Sequence, residues 1–273
     1  MTTWQRILNP LQWWTISAEP CGGGEPSMIA RGWDEYAKRW KADRFPVLPG
    51  NRVEHLGDEW TAEDTSGGGT TYGLDEVTIK NFSSCLSEQV LDRYLPPHSK
   101  EGLEIGPGGG RLTQLLLPRT DLLHAADPSE TMLTRLTARF KQYPSLRTYV
   151  TDGMTLPRLA EESLDFVASF DVLVHFEPRL VHWYLRQIAR LLKPGGIGLV
   201  HYASVISPIG WRQFEADLEG NVEQRTSFCA FGTMCPQLME HFLKALDLQV
   251  VSSDVGFIPR DAIAVFRKRT STV

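Results

Sequence analysis

Apolar positions recur from about residue 76 onward with the spacing of alternating helices and strands. Short apolar runs that end in Gly, Ser or Asp predict strands, and stripes with a period near 3.6 residues predict helices. The predicted strands are 102–106, 122–129, 146–153, 163–176, 197–204, 248–255 and 262–269. The predicted helices are 33–40, 76–95, 109–118, 129–143, 177–196 and 236–247. Strands that alternate with helices imply crossover connections, so the pattern predicts an α/β fold with a mostly parallel sheet.

The last two predicted strands are joined differently from the others. Only a short turn, GFIPRD at 256–261, separates them. A connection this short permits an antiparallel hairpin and excludes a parallel crossover. We therefore expect a seven-stranded sheet whose far edge carries one reversed strand.

The first 75 residues follow a different pattern from the rest of the chain. They are rich in Gly, Pro and Trp and contain one short amphipathic helix, 33–40. We therefore divide the chain into an irregular, partly helical N-terminal extension, 1–75, and an α/β domain, 76–273. The segment 211–234 is expected to be an insert that builds a pocket. Its aromatic candidates are Trp211, Phe214, Phe228 and Phe231.

Composition and charge exclude several classes of protein. Apolar residues make up 42% of the chain and charged residues 22%, and the net charge of -5 argues against a nucleic-acid partner. The four cysteines form no C-x-x-C pair, which predicts neither a zinc site nor a disulfide framework and is typical of a cytoplasmic protein. No secretory signal and no membrane-spanning run is found. The oligomeric state has no signature in the pattern.

The first candidate binding site is a glycine-rich turn at residues 104–110, whose sequence is Glu-Ile-Gly-Pro-Gly-Gly-Gly. The turn follows a predicted strand and precedes a predicted helix. Glycines there let the backbone approach a ligand at positive φ, and the helix start offers free N–H groups. Asp127 lies 21 residues after Gly106, at the end of its strand, where a ribose-binding acid is expected.

The spacing of the glycines separates two kinds of ligand. A dinucleotide turn, G-x-G-x-x-G, needs glycine at position 111, where this chain has Arg111. The observed E-x-G-x-G-x-G is similar to the first motif of class I S-adenosylmethionine-dependent methyltransferases. That resemblance continues in order through residues 76–269. It implies a Rossmann-like domain that binds S-adenosyl-L-methionine.

The resemblance also implies roles for single residues. Glu104 matches the acid that helps to bind the methionine ammonium, and Asp127 matches the acid that receives the ribose hydroxyls. Met132 would border the adenine, Asp152 would meet the adenine amino group, and a Tyr-and-Trp segment would close over the cofactor. The further cofactor candidates are Gly106, Gly108, Gly110, Gly153, Met154, Phe170, Tyr36 and Trp40.

Each role has a structural alternative that the sequence leaves open. Asp127 could cap the helix that follows it, Glu104 could pair with a base, and Asp152-Gly153 could form an ordinary turn. The aromatic face of helix 33–40 could be a lid or ordinary packing.

Two histidines are candidates for a general base. His175 follows the fourth strand, where the methyl donor and the acceptor should meet, and His201 ends the fifth strand. A neutral imidazole titrates near the working pH, although a lone histidine is more often structural. No cluster of metal ligands is evident.

The resemblance implies methyl transfer to a small-molecule acceptor, such as a sugar, a lipid-linked intermediate or a natural product. His175 favours oxygen as the acceptor atom. Three alternatives remain: N-methylation of a peptide or protein terminus, a non-catalytic cofactor-binding partner subunit, and a nicotinamide dehydrogenase.

Overall fold

Seven strands form one sheet in the order β3-β2-β1-β4-β5-β7-β6. The computed structural model describes residues 28–39, 74–75, 78, 81–221 and 231–270. The strands are β1 Ser99–Ile105, β2 Thr120–Asp127, β3 Leu146–Val150, β4 Leu164–Ser169, β5 Leu192–Ala203, β6 Leu248–Ser252 and β7 Asp261–Lys268. β1 to β5 pair in parallel, and β7 is antiparallel to both β5 and β6. The predicted α/β fold with a reversed C-terminal hairpin is confirmed, and the reversed strand is second from the edge.

Seven helices, with short 3-10 turns at Leu117–Arg119 and Leu173–His175, belong to the described part of the chain. α2 begins as an α-helix at Phe82–Leu86, continues as a π-helical turn at Ser87–Leu91 and ends at Asp92–Tyr94. The others are α1 Met28–Arg39, α3 Thr113–Leu116, α4 Glu130–Arg139, α5 Pro178–Leu191, α6 Pro208–Asn221 and α7 Pro236–Ala245. None of these helices has the length and apolar character needed to cross a membrane.

Apolar side chains cover both faces of the sheet because neighbouring strand residues point in opposite directions. Phe166 of β4 packs with α2, α3 and α4 on one face, while Val167 packs with α5 and α7 on the other. The sheet is therefore a buried central layer, as its long apolar runs predict.

The order of the strands creates a crevice at one edge of this layer. After β1 the chain moves outward to β2 and β3, and it then returns to β4 on the opposite side of β1. In such sheets ligands bind outside the carboxyl ends of the strands where the direction changes. The crevice lies at the ends of β1 and β4.

Two predicted elements near this crevice are much shorter in the structure. The predicted strand 163–176 ends at Ser169, because Asp171 adopts a positive φ of 61° and the chain turns out of the sheet. The predicted helix 109–118 shortens to Thr113–Leu116, because the glycine turn extends further. The domain boundary at residue 75 stays a prediction, since 40–73 lie outside the described residues.

Candidate functional site

The turn after β1 has the left-handed backbone that its glycines predict. Gly106, Gly108 and Gly110 have φ values of 68°, 50° and 98°. The Gly106 N–H donates to the Ala126 carbonyl at 2.8 Å, and the Gly110 N–H donates to the Pro107 carbonyl at 2.8 Å. These bonds tie the turn to the end of β2 and close it on itself.

The three glycines are needed for different reasons. A Cβ at Gly106 would lie 2.2 Å from Val172 Cγ2, and one at Gly110 would lie 2.4 Å from the Phe140 ring. A Cβ at Gly108 would meet nothing within 4 Å. Gly106 and Gly110 therefore allow close packing, while Gly108 presents bare backbone to open space that a ligand can fill.

That open space belongs to a cavity of about 910 Å³ beside the ends of β1, β2 and β4. Its volume lies in the range of small-molecule sites. Most predicted site residues line it: Glu104, Gly106, Gly108, Asp127, Met132, Gly153, Phe170, Tyr36 and His175. Gly110, Asp152, Met154 and His201 are not part of the described lining, and Trp40 lies outside the described residues.

Glu104 is a buried carboxyl group at the floor of the cavity. The Thr113 hydroxyl donates to its Oε2 at 2.6 Å. Burial raises the pKa of Glu104 to about 8, and the nearby Asp127 charge acts in the same direction. A cation beside this carboxyl would restore its charge, so Glu104 fits a ligand ammonium group.

Asp127 ends β2 with its carboxylate facing the turn. Its Oδ2 accepts the Gly108 N–H at 3.3 Å, and its Oδ1 accepts the Ser129 N–H at 2.8 Å. Burial raises the pKa of Asp127 to about 6. A carboxylate has about four acceptor positions, so two more hydrogen bonds from a ribose can be accommodated.

Asp152 makes the loop turn that its sequence left open as the alternative. Its Oδ1 accepts the N–H groups of Met154 at 2.8 Å and Thr155 at 2.6 Å. Met154 is 38% exposed, and its carbonyl accepts the Trp183 indole N–H at 2.9 Å. On either side of Asp152, Thr151 and Gly153 line the cavity.

Helix α1 forms a roof over the cavity. Asp34 Oδ1 accepts the Ser129 hydroxyl at 2.8 Å and the Thr131 N–H at 3.1 Å, which docks α1 onto the start of α4. Ala37 packs against Met132, and the Trp33 ring lies 5.2 Å from the His175 ring. Helix α1 therefore contacts both Met132 and His175, two residues that line the cavity.

The two candidate histidines lie in different surroundings. His175 is partly buried, ends a 3-10 turn and lines the cavity. His201 is fully buried, with Nδ1 3.1 Å from the Asp171 nitrogen and Nε2 3.1 Å from Asp261 Oδ2. Both ring nitrogens of His201 are engaged by other groups of the protein.

Four charged residues that were not predicted as site residues also line the cavity: Arg111, Arg139, Asp171 and Arg260. Arg111 Nη2 lies 3.2 Å from Asp171 Oδ2, and Arg260 Nη2 lies 2.7 Å from Asp261 Oδ2. In the sequence, Arg111 only indicates that the turn does not bind a dinucleotide, and Arg260 lies in the short turn between the last two predicted strands. An Asp directly after an apolar strand was the available signal for Asp171.

The insert contributes less to the cavity than expected. Phe231 lines the cavity and lies 5.4 Å from the Arg260 guanidinium. Trp211 and Phe214 stack on each other 5.4 Å apart, outside the described lining, and Phe228 lies outside the described residues. Within the described residues, no group of three or more His, Cys, Asp or Glu could hold a metal ion.

Comparison with known proteins gives a family match over the core of this sheet. A family model described as a methyltransferase domain matches residues 103–200, which run from β1 to β5. No curated protein matches the chain in sequence.

Solved structures share the fold at low identity. The N-methyltransferase NodS from Bradyrhizobium japonicum is 19% identical, with a TM-score of 0.51 over 72% of this chain and 99% of that one. A protein from Pyrococcus horikoshii is 21% identical, with a TM-score of 0.53 over 73% of this chain and 95% of that one. A phosphoethanolamine N-methyltransferase from Haemonchus contortus is 14% identical, with a TM-score of 0.57 over 89% of this chain and 49% of that one.

The family match agrees with the strand order and with the glycine turn. Gly108 leaves the space that a ligand needs, and the buried carboxyl groups of Glu104 and Asp127 line the same cavity. The predicted enzyme class and cofactor are confirmed. Residues 103–200 match a methyltransferase domain, the sheet around them has the fold of the methyltransferase structures, and the cofactor is S-adenosylmethionine.

Proposed function

We propose that the protein methylates a small-molecule acceptor that enters beside His175, with a hydroxyl oxygen as the favoured acceptor atom. The observation that carries this proposal is the roofed cavity. It extends from the glycine turn to His175, Arg111 and Arg260, and α1 covers it. A covered cavity of about 910 Å³ suits a small acceptor better than a protein surface.

In this proposal the cofactor binds along the carboxyl ends of β1 and β2. Glu104 receives the ammonium, Asp127 the ribose hydroxyls, and Met132 borders the adenine beneath α1. The backbone of Gly153 and Thr151 lines the adenine end, while the Asp152 carboxylate shapes the loop. Phe170, Tyr36 and Trp33 enclose the end at which the methyl group is transferred.

When bound, the cofactor supplies an electrophilic methyl group on a sulfonium. The protein has to align an acceptor with it and keep water out, and alignment alone can lower a barrier by roughly 7–11 kcal/mol. The aromatic rings of Trp33, Tyr36 and Phe170 line this part of the cavity. They exclude water from the point of transfer.

His175 is the base in this proposal, and His201 is a positioning residue. His175 lines the cavity and can accept a proton from an acceptor hydroxyl. His201 Nδ1 already accepts a backbone N–H, and Asp261 holds its Nε2. His201 therefore has no position left for a substrate proton.

His175→Gln should lower kcat by about 10²- to 10⁴-fold, because general-base catalysis is worth that much. The affinity for S-adenosylhomocysteine, measured by calorimetry, should stay within about two-fold, because His175 acts on the acceptor in this proposal. The matched control is His182→Gln, at a partly buried histidine of α5. Unchanged turnover in His175→Gln would remove the base from the proposal.

The acceptor class is tested with radiolabelled S-adenosylmethionine against separate pools of metabolites and peptides. Label in an alkali-stable, organic-soluble small product supports the proposal. Two structural neighbours are N-methyltransferases, which favours nitrogen as the alternative acceptor atom. Label only in the peptide pool would overturn the small-molecule proposal in favour of a peptide or protein terminus.

A further inference from the structure

Asp171 holds an unusual backbone conformation at the wall of the cavity. Its φ is 61°, a left-handed value that residues with side chains adopt at a cost. It lies two residues after the end of β4 and lines the cavity with 19% of its side chain exposed. Strained backbone of this kind persists only where surrounding groups hold it, and it is concentrated at functional sites.

Asp171 is the first member of a series of hydrogen bonds that continues through three buried residues, His201, Asp261 and Arg260. The Asp171 N–H donates to His201 Nδ1 at 3.1 Å. Because Nδ1 accepts, the single proton of a neutral ring lies on Nε2, which donates to Asp261 Oδ2 at 3.1 Å. Asp261 also accepts from Arg260 Nε at 2.9 Å and Nη2 at 2.7 Å. We call Asp171, His201, Asp261 and Arg260 the buried chain.

The buried chain connects three strands and ends at the cavity on both sides. Asp171 follows β4, His201 belongs to β5, and Asp261 begins β7. Arg260, at the far end, lines the same cavity as Asp171. The position of the Asp171 backbone is therefore set by the register of the sheet.

The Asp171 carboxylate is kept ionised by its surroundings. Burial alone would raise the pKa of Asp171, but the positive charge of Arg111, supported by that of Arg260, holds it below its ordinary value. Arg111 Nη2 lies 3.2 Å from its Oδ2. An ionised carboxylate accepts hydrogen bonds and donates none, so its preferred ligand is an O–H or N–H group.

We propose that Asp171 binds the acceptor's nucleophilic group, accepting a hydrogen bond from the O–H or N–H that receives the methyl group, and that His201 and Asp261 are positioning residues. This assignment rests on the proposed function, because it requires an acceptor beside His175. It narrows the acceptor class to protic nucleophiles, namely hydroxyls and amines that carry a hydrogen. Thioethers and tertiary amines are excluded.

The proton and electron pairs balance without a further reagent. The new bond forms from the acceptor oxygen or nitrogen to the methyl carbon, and the sulfur keeps the electron pair of the broken carbon–sulfur bond. An amine with two hydrogens keeps one of them hydrogen-bonded to Asp171 and loses the other to His175. A hydroxyl has one hydrogen, which Asp171 accepts as a hydrogen bond while the acceptor is being oriented and which then leaves to His175, so that Asp171 ends the step ionised.

A pair of cofactor analogues tests whether the carboxylate faces the point of transfer. Sinefungin carries an amine in place of the transferred methyl group, whereas S-adenosylhomocysteine carries nothing there. The wild type should bind sinefungin more tightly in calorimetry. Asp171→Asn should reduce the affinity for sinefungin about ten-fold or more, the value of a hydrogen bond between charged groups, and leave S-adenosylhomocysteine nearly unchanged.

Asn is the informative replacement because it tolerates positive φ and removes only the charge. The matched control is Asp165→Asn, at the opposite end of β4, where the carboxylate pairs with Lys193 at 2.8 Å. That control should keep both affinities. Equal loss of both ligands in Asp171→Asn, or no loss of either, would overturn the role of Asp171.

The positioning role is tested by His201→Phe, which removes the acceptor for the Asp171 N–H. The preference for sinefungin should fall while S-adenosylhomocysteine binding stays. A matched control is His124→Phe on β2, where the buried histidine also has partners at both nitrogens, Tyr149 at 2.9 Å and Glu101 at 2.8 Å. An unchanged preference in His201→Phe would overturn the positioning role.

Asp171→Gly covers the case in which Asp171→Asn does not fold, because glycine adopts the same φ without strain. It should show the same loss of sinefungin preference as Asp171→Asn, and an intact preference would overturn the proposal. Failure of the proposed function has a separate signature. A wild type that binds neither analogue overturns both proposals. A wild type that binds both, together with Asp171 variants that keep the preference for sinefungin, overturns the role of Asp171 and leaves the proposed function standing.

Discussion

At the scale of single residues, the two carboxyl groups at the glycine turn differ in what a substitution should do. Asp127→Asn keeps the shape of the side chain but loses the charge that would hold two ribose hydroxyls. We expect affinity for S-adenosylhomocysteine to fall roughly 10- to 150-fold, the equivalent of 1.5–3 kcal/mol for hydrogen bonds to a charged group. Isothermal calorimetry measures this directly.

A matched control lies at the other end of the same strand. Asp121 is exposed and lies 2.7 Å from His98 Nε2, far along β2 from the turn. Asp121→Asn should leave the affinity unchanged. Equal affinities for the wild type and Asp127→Asn would show that the ribose lies elsewhere.

The residues that sequence could predict differ in kind from those it could not. Glu104 and Asp127 stand at set distances from the glycines, so linear spacing is enough to find them. Asp171 gains its role from a positive φ and from its contact with His201. Arg260 reaches the cavity only because β7 pairs with β5. The spacing of residues along the chain predicts neither this dihedral angle nor this cross-strand pairing.

At the scale of secondary-structure elements, α1 should behave as a docked lid. Asp34 acts as a second cap on α4, and its hydrogen bonds from Lys38, Thr131 and Ser129 hold its pKa well below the ordinary value against the effect of burial. Asp34→Ala should cost about 0.5–2 kcal/mol, the usual loss for a cap. We expect faster amide hydrogen exchange across Met28–Arg39.

The neighbouring residue provides the control for this prediction. Glu35 is exposed on the same helix and contacts Lys38 at 3.3 Å. Glu35→Ala should leave exchange in α1 close to that of the wild type. Identical exchange in both variants would mean that the Asp34 contacts do not hold the lid down.

The start of α5 was predicted closely, whereas the end of β4, where apolarity alone guided the prediction, was wrong. Pro178 begins α5 within one residue of the prediction. The predicted strand 163–176 ran seven residues too far beyond Ser169, because Leu173, Val174 and Phe176 are buried outside the sheet and look like strand residues. Burial and strand geometry coincide in a central strand, but burial continues after the strand ends.

At the scale of the whole molecule, the parallel sheet and its reversed hairpin followed from connection lengths alone. The α/β alternation required crossovers, and the six residues 256–261 required a hairpin. The spatial order, with β7 between β5 and β6, did not follow from the sequence. It depends on which face of each strand finds a partner, a property of the assembled core.

Folding also places two buried carboxyl groups beside each other, and this couples stability to pH. Burial raises the pKa of Glu104 from 4.5 to about 8 and that of Asp127 from 3.8 to about 6. Between the ordinary and the raised pKa of each carboxyl group, the folded protein binds more protons than the unfolded chain. The stabilising contribution is therefore complete below about pH 4 and is lost as the pH rises through 6 and 8.

Urea unfolding of the ligand-free protein between about pH 5 and pH 8 should therefore show a falling free energy of unfolding, since each pKa unit corresponds to about 1.4 kcal/mol. His182, whose pKa burial lowers, works in the opposite direction. The difference between the wild type and Glu104→Gln isolates the Glu104 contribution, because the amide does not titrate. Saturating S-adenosylhomocysteine should flatten the wild-type curve, since its ammonium keeps Glu104 ionised. Parallel pH curves for the wild type and Glu104→Gln would contradict the raised pKa.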